Sequence, residues 1–205
     1  MDFSKKAAKE IVNKTIEALA ARGMTAEFVI SKGEAKEKVL ALIPQGAEVM
    51  TMTSITLEQT GIAEEINTSE KYTSVRKQLT TMDRKTHNRE MQALGAAPDW
   101  AIGSVHAVTE GGEVLIASNT GSQLSAYVYG SDHVIWVVGV QKIVKNLDEG
   151  MQRINEYIVP KETQRAREAY NLPEFNTNVS KLVIVNKEIS PGRIHIIFVD
   201  EALGF

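Results

Sequence analysis

Residues 133–140, HVIWVVGV, constrain the fold of this chain more than any other stretch, because no polar side chain follows His133 within them. Successive side chains of a strand point to opposite faces, so a strand with one wet face alternates, and an uninterrupted apolar strand has to be covered on both. The octet is predicted to be a central strand buried on both faces. The N-terminal third supplies cover. Ala7, Ala8, Ile11, Val12, Ile16, Leu19 and Ala20 recur at helical spacing and predict an amphipathic helix over residues 4–22, with Ser4 as candidate N-cap and Gly23 as the stop. Residues 26–30 read as a short buried strand, 34–43 as a helix ending before Pro44, and 48–52 as another strand. This alternation argues for parallel strands joined by right-handed helical crossovers, with ligands expected beyond the carboxyl ends of the strands.

Thr and Ser in residues 51–56 sit at one such strand end, where they either cap the next helix or face a ligand. Residues 57–95 are helical in pattern, with breaks at 67–69 and 80–82. Beyond Gly95 the spacing shortens. Strands at 100–108 and 113–118 flank Glu110-Gly111-Gly112, a hairpin signal. A second helical region, 147–171, is predicted to be interrupted at Pro160, and strands at 181–186 and 193–200 are separated by the turn Ser190-Pro191-Gly192. With no repeat, low-complexity linker or boundary signal, residues 1–205 are predicted to form a single domain, an α/β half with a hairpin-rich insertion.

Composition narrows the chemistry. Folding 205 residues as one domain buries roughly 70% of the surface of the unfolded chain, enough for a core without staples. A hydrophobic fraction of 43% and a charged fraction of 24% are those of an ordinary soluble globular protein. A formal charge of −3 provides no global positive field, so neither nucleic acid nor an anionic membrane surface is a predicted partner. The absence of cysteine excludes thiolate nucleophiles, disulfides, cysteine-ligated iron–sulfur clusters and Cys-rich zinc sites in this chain. The N-terminus is charged throughout, without the apolar core of a secretory signal, and no run approaches the ~20 apolar residues of a membrane span, so the expected compartment is the cytoplasm.

Several groups are candidates for chemistry. His87, His106, His133 and His195 show no paired metal spacing, so no metal site is predicted. His106, in GSVHAVTEGG near the hairpin and the polar loop, is the one histidine that is a candidate for acid/base work, a role that stays open beside a non-catalytic one. Glu110, a carboxylate at a tight Gly-rich turn, reads either as a turn residue or as a nucleophile or general base. Asn119, Thr120, Gly121, Ser122 and Gln123 follow an apolar run and form either an ordinary connection or a cradle of amides and hydroxyls for an anion or carbonyl oxygen. Should a helix start at Ser122, its N-terminal amides would add to that cradle. Gln141 and Lys142, just past the central strand, add a donor and a positive charge at another strand end. From Lys71 to Arg89 six basic residues face one acidic residue, Asp83; the segment, Arg89 included, reads either as a solvated face or as a basic wall for phosphate or carboxylate.

The blocks DWAIGSVHAVTEGGEVLIASNTGSQLSAY at 99–127, VIWVVGVQKIVKNLDEGMQRI at 134–154 and PGRIHIIFVDEALGF at 191–205 together resemble the LUD domain, the lactate-utilisation family that includes LutC and YkgG proteins. The resemblance implies a three-layer α/β/α sandwich with a mostly parallel central sheet and a hairpin-rich portion, related to the NagB/RpiA/CoA-transferase fold. It also implies a bacterial cytoplasmic protein of lactate-type organic-acid metabolism, in the stand-alone form, acting beside iron–sulfur partner subunits. Lacking cysteine, the chain resembles an accessory protein that binds a small anionic metabolite (a carboxylate, phosphate or CoA ester) at the 119–123 loop, with no cofactor of its own; self-association is left open. The alternative is CoA-transferase-like or sugar-phosphate-isomerase-like chemistry using Glu110, an analogy at the level of the fold.

Overall fold

The computed structural model describes residues 1–205. The octet becomes strand β7, His133–Gly139, and every one of its residues after His133 is buried. It lies fourth from one edge of a six-stranded sheet whose order is β1-β10-β7-β4-β2-β3 and whose neighbours all pair in parallel. The strands are β1 (Thr25–Val29), β2 (Glu48–Thr51), β3 (Thr73–Ser74), β4 (Trp100–Gly103) and β10 (Ile194–Val199) around β7. Val134, Trp136 and Val138 of β7 enter one core together with Val12 and Leu19 of helix α1 (Lys9–Ala21) and Val75 of α5 (Val75–Thr80). Ile135 and Val137 enter another with Ala35 and Val39 of α2 (Lys32–Leu42), Leu57 of α3 (Ile55–Gln59), and Ile62 and Ile66 of α4 (Ile62–Thr68). Burying each such large apolar side chain contributes about 1.5–3 kcal/mol, so a polar residue at any interior position of β7 would oppose one core or the other.

A second sheet of order β8-β5-β6-β9 packs against the first core; it consists of β5 (Ala107–Thr109), β6 (Val114–Ser118), β8 (Ile143–Val144) and β9 (Lys181–Val185). Glu110-Gly111-Gly112 closes the antiparallel β5–β6 hairpin as predicted. On β6, Val114 and Ile116 face the first core, while Leu115 and Ala117 face a third with Ile154 and Ile158. The helices covering that outer face are α7 (Leu147–Arg153) and α8 (Val159–Tyr170). The whole is a mixed α/β, three-layer arrangement with a parallel central sheet. No helix is long and apolar enough to cross a membrane.

Three local expectations differ from the structure. The first helix begins at Lys9 rather than near Ser4, because the Ser4 hydroxyl donates to Asp2 Oδ1 at 2.6 Å and caps nothing. The predicted strand 100–108 is two strands in two sheets. Ser104 ends the first by donating its hydroxyl to Val137 O at 2.7 Å, and the chain then crosses to β5. The helical region 147–171 is not interrupted at Pro160: α7 passes through a π-helical turn, Ile154–Ile158, into α8, and Pro160 lies in the first turn of α8. A wide turn there removes the need for a proline N–H to bond within the helix.

Candidate functional site

A cleft of about 970 Å³ opens at the carboxyl ends of the central strands, within the range of small-molecule sites. Thr53 and Ser54 follow β2, Ser104 and Val105 follow β4, and Lys142 follows β7; all reach its wall. The opposite wall comes from the loop after β6, from α6 (Arg84–Ala96) and from α8.

Lys142 sits in a single 3-10 turn after β7 and is buried at 3% exposure. Its Nζ donates to Thr56 Oγ1 and to Ser104 Oγ, each at 3.1 Å, and no carboxylate contacts it. Burial, and then the charge of Arg153, draw its pKa down to about 7. Arg153 is itself fully buried, with no hydrogen-bond partner for Nε, Nη1 or Nη2, and its guanidinium carbon lies 5.1 Å from the ring centre of Tyr157. Beside Lys142, Tyr127 approaches Ser104 O with its hydroxyl at 3.5 Å. Glycine at 103 permits this, since a Cβ there would lie 1.6 Å from the Tyr127 oxygen.

His106 accepts the Ala117 N–H through Nδ1 at 3.2 Å, which in the neutral ring leaves the proton on Nε2. Burial, followed by the charges of Lys142 and Arg153, draws its pKa to about 3. The imidazole is therefore held in its neutral form near pH 7, with Nε2–H as a donor.

The charge on the cleft wall is one-sided. Arg76, Arg84, Arg89, Arg165 and Lys142 line it, and the single side-chain carboxylate is Glu162. Glu162 is engaged by Arg165 through two contacts, 2.7 and 2.6 Å. Arg76 is held in place by donating twice to Thr51 O, at 3.0 and 2.7 Å. Of the basic segment 71–89, Arg76, Arg84 and Arg89 reach the cleft, while Lys71, Lys77 and Lys85 do not. Helix α6 has no fully buried residue, packs Leu94 against the first core and kinks at His87, and it turns Arg84, Asn88, Arg89 and Gln92 to the cleft.

All five residues 119–123 line the cleft, but their hydrogen bonds largely close on one another. Ser118 Oγ donates to Gln123 Oε1 at 2.9 Å and accepts the Gly121 N–H at 2.8 Å, with Gly121 at φ +89°. Gln123 Nε2 donates to Ala117 O at 3.2 Å, Thr120 Oγ1 donates to Ser122 Oγ at 3.1 Å, and Asn119 Oδ1 accepts from Ser180 Oγ at 3.2 Å. The segment is a braced turn that also faces the cleft. No helix begins at Ser122; the helical residues start at Leu124 and run into a π-helical turn, Ala126–Gly130.

Two sequence candidates are not brought in. The Glu110 carboxylate, at the far end of the hairpin, takes Lys14 Nζ of α1 at 2.8 Å and is not on the cleft wall. Gln141 is also off the wall, its Nε2 donating to Leu203 O at 2.8 Å to hold the C-terminal segment. Conversely, Thr56, Ser104, Tyr127, Arg76 and Arg165 join the site without having been singled out. Only Thr56 and Arg76 carried a signal, as a strand-end hydroxyl and as part of the basic run.

Parallel central strands covered by helices, with a polar cleft at their carboxyl ends, define a mixed α/β protein. The chain belongs to the LUD-domain family, whose model matches residues 12–199, a span that includes every strand of both sheets. Among solved structures, the 1.70 Å crystal structure of a DUF162 family protein from Deinococcus radiodurans is similar, with a TM-score of 0.58 over 95% of this chain and 99% of that one at 14% identity. At that identity the likeness concerns the fold. No match is found among curated proteins.

Proposed function

We propose that this LUD-domain protein binds a small anionic metabolite (a carboxylate, phosphate or CoA ester) in the strand-end cleft, as an accessory protein of lactate-type organic-acid metabolism. One observation carries the reading: four arginines and Lys142 against one already paired side-chain carboxylate, in a chain whose overall charge is negative. Arginine forks suit carboxylate and phosphate oxygens, and the hydroxyls of Thr53 and Ser54 offer further contacts. Within this reading the iron–sulfur electron path belongs to partner subunits, since this chain has no cysteine to ligate a cluster.

Calorimetric titration with lactate, pyruvate, a sugar phosphate and a CoA ester tests it. At least one anion is expected to bind, more weakly as salt rises. An Arg84→Ala, Arg89→Ala double variant should lose roughly tenfold in affinity, about 1.4 kcal/mol, the scale of one charged hydrogen bond. Failure of every anion to bind, or an affinity indifferent to both salt and these arginines, would sink the proposal.

The alternative, transferase or isomerase chemistry through Glu110, has no support from the position of that carboxylate. Glu110→Gln is expected to cost less than about 1 kcal/mol in a denaturation midpoint series, as for other partly exposed ion pairs, and to leave anion affinity unchanged. A loss of binding in that variant would return Glu110 to the site.

A further inference from the structure

Lys142 Nζ has a geometry that anion binding alone does not use. Besides its bond to Cε, the nitrogen directs two N–H groups at Thr56 Oγ1 and Ser104 Oγ. Both hydroxyls have their own hydrogens committed to main-chain carbonyls, Thr56 to Leu203 O at 3.3 Å and Ser104 to Val137 O at 2.7 Å. Neither can therefore donate back to the amine. The fourth tetrahedral direction of Nζ is used by no protein atom within hydrogen-bond distance, and the residue lines the cleft. The only side-chain carboxylate on the wall is held by Arg165, no ion pair reaches Lys142, and the buried Arg153 disfavours the ammonium. At neutral pH a substantial share of the molecules carries a lone pair in that fourth direction.

We propose that Lys142 is a covalent carbonyl-binding residue, forming an imine with an anionic oxo compound, either a 2-oxo acid or an oxo phosphate, whose anionic end is held by the cleft arginines. This rests on the anion-binding reading and names its ligand class. The Nζ lone pair forms the C–N bond as the carbonyl π pair moves onto oxygen, and an N–H proton passes to that oxygen to give a carbinolamine. Loss of water then leaves the imine, so amine and carbonyl yield imine and water with no change of oxidation state. His106, lining the same cleft as an Nε2–H donor, is suited to a hydrogen bond with the carbonyl oxygen. Thr56 and Ser104 orient the amine.

The test treats the full chain with pyruvate, 2-oxobutyrate or glyceraldehyde 3-phosphate in the presence of cyanoborohydride near pH 7.5, followed by intact mass and peptide mapping. The expected result is one adduct per chain, with a mass gain of the oxo compound less one oxygen atom, on the peptide carrying Lys142. Lys142→Met and Lys142→Arg should both lose it, with folding checked by circular dichroism. Labelling spread over surface lysines and unchanged in the variants would overturn the proposal, as would no adduct with any probe. Parallel titration with lactate, which has a hydroxyl in place of the carbonyl, separates the two readings. Lactate and pyruvate binding without an adduct removes the imine and leaves anion binding standing, whereas no binding by either lactate or any probe removes both.

Discussion

Lys142→Met is expected to stabilise the protein at pH 7 by a few kcal/mol and to flatten its stability profile between pH 7 and 9.5. The sign follows from proton linkage. The folded-state pKa is about 7 and the unfolded value is 10.5, so between them the unfolded chain binds more protons and stability rises with pH. One group titrating this way changes stability by about 1.4 kcal/mol per pH unit, or roughly 3 kcal/mol between pH 7 and 9.5. Below pH 7 the folded protein carries a buried ammonium near Arg153 with no counter-carboxylate, and methionine removes that cost while keeping much of the apolar stem. Thr56 and Ser104 lose only a donor partner, because their own hydrogens already go to carbonyls. His106, drawn to about 3, adds its own rise between about pH 3 and its ordinary value of 6.5, outside this window. Urea denaturation of both proteins at half-unit steps from pH 6.5 to 9.5 measures the slopes; parallel curves would show that Lys142 is not a buried, depressed lysine.

The second large effect lies at the opposite end of the same strand-to-site connection. Gly139→Ala is expected to destabilise by about 3 kcal/mol, the upper part of the overpacking range. A Cβ at 139 would stand 2.2 Å from Gln141 Oε1, 2.7 Å from Glu201 O and 2.7 Å from Leu203 N. Two of these are backbone atoms, which cannot rotate away as a side-chain end does. The C-terminal segment would have to lift from the end of β7. Since Gly204 and Phe205 line the cleft and Leu203 O accepts from both Gln141 and Thr56, anion affinity should fall along with stability. A Gly139→Ala protein with an unchanged denaturation midpoint and unchanged titration curve would mean that the close approach at 139 does not hold the tail.

Much of the architecture was legible because it rests on local pattern. The unbroken apolar run of β7 demanded two covered faces, and the structure supplies a separate core on each side of it. The Glu110-Gly111-Gly112 hairpin and the end of α2 before Pro44 were equally local. The division of residues 100–108 between two sheets was not. What ends β4 is a hydroxyl donated to Val137 O, a partner 33 residues away that no window over the chain contains.

The chain by itself determined the α/β class, the central strand, the missing thiol chemistry and a polar turn after residues 114–118, because periodicity, composition and turn formers act over a few residues. Only the tertiary structure decided which charges meet. It turned Arg76, Arg84 and Arg89 of the basic segment into the cleft and left its lysines outside, and it tied Glu110 to Lys14 away from the wall. It also seated Lys142 between two hydroxyls, Thr56 in the first turn of α3 and Ser104 just past β4, with a buried arginine near it and no acid in contact. A lysine's protonation state depends on burial and on charges close in space, and in this fold Arg153 supplies the charge while the hydroxyls that hold the buried amine come from 38 and 86 residues away in the chain.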